Sequence, residues 1–532
     1  MLSSGWTRRA YAFFAGAFGA AALAPINFIP AIAISLIVAV WLLDGAAPAE
    51  ARKSSRRGIF WPAFATGWMW GFGYFLFGLW WVGSAFLVEA ENFAWALPLG
   101  VIALPATLAL FPAIGFALAR LFWTAGYRRI LIFALSIFLT EWMRCLVATG
   151  FPWNEIGMAF GGQLVLAQLA SLIGLHGLTL TVVALLAAPA TLTDCAPGQL
   201  RLRPTILSLL ILAGIIGFGA YRISRPEFAN VPGVKLRIMQ PAVAQGAYFS
   251  SKNGADILRG YLELSDRSTS PTSSGIGDVT HLIWPESAFP FLLAQEAAVI
   301  QQISKFLHGG ATLITGAARV DEGDSRRYYN SIQVVDSHGV LAERYDKKHL
   351  VPFGEYLPFA RFITRFPIAQ FVHIPGGFDS GAAKQDLLHI AGLPPAEPLI
   401  CYEAIFPRDV GSLWRAQSER PAWILNVTDD AWFGLTAGPY QHFEQARLRA
   451  IEQGLPLVRA ANSGISAITD GYGRIRSQLP LGARDVIDGK LPEMAPEPLF
   501  SQFGALAPGG LALAMLLTLL SSALLTHRKY RS

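Results

Sequence analysis

Three short segments of this chain end an apolar run on a side chain that can do chemistry. They are Ile283-Trp-Pro-Glu286, Tyr345-Asp-Lys347 running on to Glu355, and Ile400-Cys401-Tyr402-Glu403. The ends of strands are where layered α/β sheets display reactive groups. A thiol needs a base or a nearby positive charge to become a useful nucleophile. A carboxylate can take its proton, and a fixed ammonium can stabilise both a thiolate and a developing oxyanion. Glu, Lys and Cys together would suffice for acyl transfer. Taken singly, a Glu after Pro and a Lys in a basic hairpin are more often solvated surface groups. Cys401 could simply cap a strand, and spacing alone does not bring the three together.

These groups need a scaffold, and residues 223–503 have the pattern of one. Their apolar runs are short and β-rich: 234–239, 281–284, 311–315, 331–335, 398–401, 423–427 and 456–459. Helix-like segments at 252–265, 294–308 and 440–453 lie between several of them. Strands alternating with helices predict a layered α/β domain. The Ser-, Thr-, Pro- and Gly-rich stretch 266–278 reads as a surface loop. There is no internal repeat.

The rest of the chain reads as membrane. Of 532 residues 53% are hydrophobic and only 15% charged, against roughly 25% charged in an ordinary soluble domain. Seven apolar stretches precede residue 223, at about 10–27, 29–43, 59–87, 94–124, 129–148, 163–193 and 205–222, and an eighth covers about 504–526. Stretches near twenty residues can span a hydrocarbon core. The formal charge of +6 divides into +6 over residues 1–222, −3 over 223–503 and +3 over 504–532. The basic surplus therefore flanks apolar runs, which speaks for membrane orientation and against nucleic acid.

Five basic clusters carry that surplus: Arg8/Arg9, Arg52-Lys53 with Arg56-Arg57, Arg128-Arg129, Arg201 with Arg203, and Arg528-Lys529 with Arg531. The loops near 24–29, 88–93 and 149–162 have no Lys or Arg but hold Glu89, Glu91 and Glu155. Eight spans with both termini cytoplasmic put every basic cluster inside and residues 223–503 outside. Ala22-Leu23-Ala24 resembles a processing site, but Pro25 follows it directly and cleavage would spoil this parity. The expected organisation is residues 1–222 as a seven-helix membrane unit, 223–503 as an extracytoplasmic catalytic domain, and 504–532 as the eighth span with its basic tail. Of three cysteines, Cys145 falls in a predicted span and Cys195 in a predicted cytoplasmic loop. Cys401 is then alone in its domain, with equal odds of being an inert buried thiol or a nucleophile.

The segments WPES, YDKKHLVPFGEYLP, ICYE, NVTDDAWFG and RAANSGISAITDGYGR, in this order, resemble the nitrilase superfamily of carbon–nitrogen hydrolases. Fused behind seven spans and before an eighth, the whole pattern is similar to the apolipoprotein N-acyltransferases, including Gly150-Phe-Pro-Trp-Asn in an outer loop. The resemblance implies an αββα sandwich and a triad of Glu286 as general base, Lys347 as oxyanion and thiolate stabiliser, and Cys401 as nucleophile. It also implies supporting positions at Glu355, Tyr402 and Glu403, and neighbouring backbone amides in the oxyanion site. Near 243–252, where that family often has a Trp, only Tyr248 and Phe249 are available.

The implied reaction is a ping-pong transfer, the last step of lipoprotein maturation. Cys401 takes an acyl chain from a phospholipid, expected to be phosphatidylethanolamine, as a thioester. The α-amine of an S-diacylglyceryl-cysteine on an apolipoprotein then accepts it. The implied setting is a bacterial inner membrane, with a monomer whose catalytic domain is periplasmic. Aromatic residues at outer span ends, Trp80-Trp81 and Phe151 with Trp153, suit such an interface, with ordinary belt anchoring favoured over substrate contact.

Other candidates weigh less. Glu141 and Arg144 lie one turn apart within a predicted span, near its outer end, where a structural ion pair is favoured. Asp429-Asp430 follows a strand without clustered His or Cys, and His442 stands alone on a helix. No phosphate loop, dinucleotide fingerprint or zinc spacing appears, so neither metal nor cofactor is expected. One rival is a membrane-tethered amidase with the same triad, distinguishable by release of ammonia. The other, a transporter or scaffold with a dead domain, fits poorly with sparse intramembrane charge and an intact Glu286, Lys347 and Cys401 set.

Overall fold

The computed structural model describes residues 5–46, 56–246, 249–307, 310–323, 326–358, 377–411, 415 and 419–529. Arg52, Lys53, Tyr248 and Arg531 lie outside the described residues. The chain forms two compact units: Met1–Phe86 with Trp95–Arg225 and Pro498–Ser532, and Leu87–Ala94 with Pro226–Glu497.

The first unit is helical. Among the described residues, Gly58–Leu87, Ala90–Leu121, Ala170–Thr193 and Gly198–Ile223 are long and apolar enough to cross a membrane, and Ile29–Asp44 and Leu506–Ser522 are shorter apolar helices. The stretch expected at 94–124 is not one regular helix. It runs through a π-helical turn, Leu99–Ala103, into Leu104–Leu108 and Leu110–Leu121. Pro98, Pro105 and Pro112 lie along it, and each removes an amide donor that a continuous helix would use. Arg144 Nη2 donates to Glu141 Oε2 at 2.5 Å and Nη1 to the Trp153 carbonyl at 2.9 Å, so this buried pair is an internal structural tie.

The second unit is built on two sheets. The first has the order β11-β1-β2-β3-β4-β5, from β1 (Leu236–Gln240), β2 (His281–Ile283), β3 (Thr312–Asp321), β4 (Arg327–Val335), β5 (Leu341–Asp346) and β11 (Asp485–Gly489). The second has the order β10-β9-β8-β7-β6, from β6 (Ala396–Ile400), β7 (Trp423–Thr428), β8 (Leu457–Ala461), β9 (Ser466–Thr469) and β10 (Ile475–Leu479). β1–β2–β3 and β6–β7–β8 run parallel, while the outer pairs are antiparallel.

Strand alternation decides which side chains fill which layer. Leu236 and Ile238 of β1 meet Trp423, Leu425 and Val427 of β7 in the core between the sheets. Met239, of opposite parity, packs with Ile257, Leu258 and Tyr261 of the helix Gly254–Ser265 and with Ile303 of the helix Ala297–Phe306. On the other side Ile424 and Leu457 pack with Ala446 and Ala450 of the helix Ala437–Gln453. Helix, sheet, sheet and helix layers follow in order, an αββα sandwich.

Candidate active site

Glu286, Lys347 and Cys401 each lie just beyond a strand, on backbone that its neighbours fix. The segment after β2 stays bonded along β3: Trp284 N donates to Ile314 O (2.9 Å), Gly316 N to Pro285 O (3.1 Å) and Ala288 N to Gly316 O (2.9 Å). A Cβ on Gly316 would stand 2.4 Å from Glu286 Cα, so this approach requires glycine. Lys347 directly follows β5, with its amide donating to Asn330 O of β4 at 2.8 Å. Cys401 directly follows β6 and has φ +49°, the left-handed region that non-glycine residues seldom occupy.

The structure brings Glu286, Lys347 and Glu355 into direct contact. Lys347 Nζ donates to Glu286 Oε1 at 3.2 Å and to Glu355 Oε1 at 3.0 Å. Asn330 Nδ2 bridges the same two oxygens, at 2.8 and 2.7 Å. Asp429 N donates to Glu286 Oε2 and Val351 N to Glu355 Oε2, both at 2.8 Å. All of these side chains are buried, Lys347 to 1% exposure. Burial disfavours the Lys347 ammonium, but the Glu286 and Glu355 carboxylates outweigh it and hold the lysine above its ordinary range.

Cys401 joins this group electrostatically. Burial pushes its thiol well up, the Glu286 charge adds to that, and Lys347 works against both. Burial and the Glu286 charge thus favour the thiol over the thiolate, and ionising it requires its proton to leave for a neighbouring base.

Glu403 acts on Lys347 through its charge, while its hydrogen bonds go elsewhere. Its Oε1 accepts from Tyr345 Oη (2.9 Å), Lys348 N (2.8 Å) and His349 N (3.1 Å), and its Oε2 from Ile400 N (2.8 Å). It thereby staples the segment carrying Lys347 to the strand carrying Cys401. Burial raises its pKa, against these amide donors. The Tyr402 ring packs on His349 and Phe406, with centroids 5.8 and 5.0 Å away.

Sequence reasoning passed over a second layer. Asn330 carried no signal, being one polar residue in a strand. Asp430 and His442 were visible but read as isolated, and the fold corrects that: one sulfur, one carboxylate and one imidazole of Cys401, Asp430 and His442 lie within 4.8 Å of one another. Such donors resemble a transition-metal set. Here Arg459 Nη2, 2.8 Å from Asp430 Oδ2, already supplies a positive charge. Burial opposes ionisation of Asp430, but Arg459 and His442 outweigh it and keep the carboxyl well below the usual range.

Residues 15–188 match the family described as apolipoprotein N-acyltransferase N-terminal domain, and residues 236–495 match carbon-nitrogen hydrolase. The αββα unit is thus a nitrilase-like carbon–nitrogen hydrolase fold. The chain is 47% identical over 527 residues to an apolipoprotein N-acyltransferase of Rhodopseudomonas palustris, covering 98% of this chain and 96% of that one. It is 46% identical over 524 residues to one of Bradyrhizobium diazoefficiens, covering 97% and 95%. Among solved structures it is similar to an amidase from Nesterenkonia sp., with 16% identity and a TM-score of 0.34 over 50% of this chain and 92% of that chain.

Proposed function

The chain belongs to the apolipoprotein N-acyltransferase family and is a membrane-bound acyltransferase, and on that premise we propose that it transfers a phospholipid acyl chain to the N-terminal amine of a diacylglyceryl apolipoprotein through a Cys401 thioester. The observation that carries this reading is the buried Lys347 ammonium fixed between Glu286 and Glu355, in the same cluster of strand ends as Cys401.

The chemistry divides into two displacements. Glu286 accepts three hydrogen bonds, from Lys347, Asn330 and Asp429 N. A carboxylate offers about four lone-pair positions, so one remains for an incoming proton. As the Cys401 sulfur attacks the ester carbonyl, Glu286 takes the thiol proton, and Lys347 and nearby amides stabilise the oxyanion. Collapse breaks the ester C–O bond, Glu286 returns the proton to the glycerol oxygen, and a lysophospholipid leaves. The acceptor amine then attacks the thioester, passing its proton by way of Glu286 to the departing sulfur. Glu355 and Asn330 hold the lysine and base in register, and Glu403 holds the nucleophile's strand.

The basic and neutral loops of the sequence support eight spans with both termini cytoplasmic and residues 223–503 periplasmic in the inner membrane. Phosphatidylethanolamine is the proposed donor, and a monomer suffices, since all three triad residues come from one chain.

The test is mass spectrometry of purified protein after incubation with phospholipid. One acyl mass on the Cys401 peptide, removable by hydroxylamine and absent in Cys401→Ala, is expected. Wild-type acylation by Cys401→Ala would refute the mechanism, and release of ammonia from a soluble amide would favour an amidase.

A further inference from the structure

Cys401 is held in a costly backbone conformation, and the surrounding bonds show what holds it. A non-glycine residue in the left-handed region is strained and persists only where its surroundings over-determine it. Upstream, Glu403 Oε2 fixes the Ile400 amide at 2.8 Å. At the residue itself, His442 Nε2 lies 3.0 Å from the Cys401 carbonyl oxygen. A carbonyl can only accept, so Nε2 carries the proton and donates.

His442 is itself immobilised. It is fully buried on the helix Ala437–Gln453, with Nδ1 2.8 Å from Asp430 Oδ1 and 3.1 Å from Arg459 Nη2, which can donate to it when Nε2 holds the ring proton. Asp430 is fixed by Thr428 Oγ1 at 2.9 Å and by Arg459 Nη2 at 2.8 Å. Arg459 is tied in turn to Ile465 O at 3.2 Å. A Cβ on Gly464 would fall 2.2 Å from Asp430 Oδ2, so the chain passes there only as glycine. This row of buried groups ends on one atom of the active site, the carbonyl oxygen of the nucleophile.

We infer that His442, oriented by Asp430, is a positioning residue for acyl transfer: its Nε2–H holds the Cys401 carbonyl and so aims the sulfur and the amides that follow it at the scissile carbonyl. The inference rests on Cys401 being the acylated residue. It assigns His442 no proton transfer to substrate.

Two amide substitutions separate donation from mere packing. In His442→Gln the side-chain nitrogen takes the place of Nε2 and can still donate to the Cys401 carbonyl. In His442→Asn it takes the place of Nδ1, keeps its contact with Asp430 and falls short of Cys401. The measurements are single-turnover acylation of the purified, folded protein by phospholipid, its dependence on phospholipid concentration, and the rate of Cys401 alkylation by a small thiol reagent. The expected result is a maximal acylation rate within about tenfold of wild type for Gln and lower by about 10²-fold for Asn, the scale of a misplaced reacting group. Half-saturation should be unchanged in both, with alkylation following the same order. Equal rates in the two variants, or Asn faster than Gln, would overturn the inference. Absence of a Cys401 acyl-enzyme in the wild-type protein would instead overturn the reading beneath it.

Discussion

Lys347 Nζ stands 3.2 Å from Glu286 Oε1 in a site where the lysine is 1% exposed. Glu355 shares the same ammonium at 3.0 Å, so one cation serves two carboxylates. The excess of negative charge keeps Lys347 charged. It also means that the site cannot lose the lysine without stranding its acids.

Lys347→Met should therefore fail twice. Acyl-enzyme formation should slow by about 10²–10³-fold, the scale of a lost oxyanion donor. Breaking a buried ion pair from one side costs about 3–5 kcal/mol, so the melting temperature in detergent should drop. The drop should shrink at acid pH, where the stranded carboxyls can protonate. An unchanged melting temperature at neutral pH would contradict the pairing.

Glu355→Gln tests the division of labour between the carboxylates. The amide oxygen can still accept from Lys347 and Asn330, while one negative charge disappears. Lys347 lies above its unfolded pKa, so its ion pairing stabilises the protein fully below that value and is lost as pH rises through the folded one. Removing Glu355 takes away one of the two carboxylates that hold the ammonium, and the melting temperature at neutral pH should fall. An unchanged melting temperature would show that Glu286 alone holds the lysine's charge.

Asp429 predicts a pH-dependent stability. Burial, with the Glu286 and Asp430 charges adding to it, pushes its carboxyl up to about 7, against hydrogen bonds from Asn462 and Ala431. The folded value lies above the unfolded one, so this group costs nothing at low pH. Its penalty grows from about pH 4 to about pH 7, each unit being about 1.4 kcal/mol at most. Asp429→Asn should match wild type in melting temperature near pH 4 and exceed it above pH 7. Its backbone N–H still holds Glu286, so acylation should survive. A constant difference across that range would refute the assignment.

Cys195 offers a test of orientation. It is exposed, whereas Cys145 is half-buried and Cys401 buried. A membrane-impermeant maleimide should label Cys195 in inverted vesicles and leave it unlabelled in intact spheroplasts. Labelling from the outside would reverse the proposed topology and place residues 223–503 in the cytosol.

What the sequence made legible follows from which forces act locally. β1, β2, β7 and β8 show as apolar runs because both faces of each are covered. β10 and β11 do not, since Arg476, Gln478, Asp485 and Asp488 interrupt them and only the fold pairs them with β9 and β1. Glu286, Lys347 and Cys401 were readable as reactive residues at strand ends, although only the sandwich brings 61 and 41 residues of separation to contact in Lys347–Glu286 and His442–Cys401. Asn330 gave no signal and His442 showed only as a lone helix residue, because their significance lies wholly in what they face.

The protonated state of the Cys401 thiol has a consequence beyond catalysis. Peroxides and disulfide-exchange partners consume sulfur as its anion, and their rates fall with the fraction ionised. A sulfur that burial holds toward the thiol offers those reagents less of its anion.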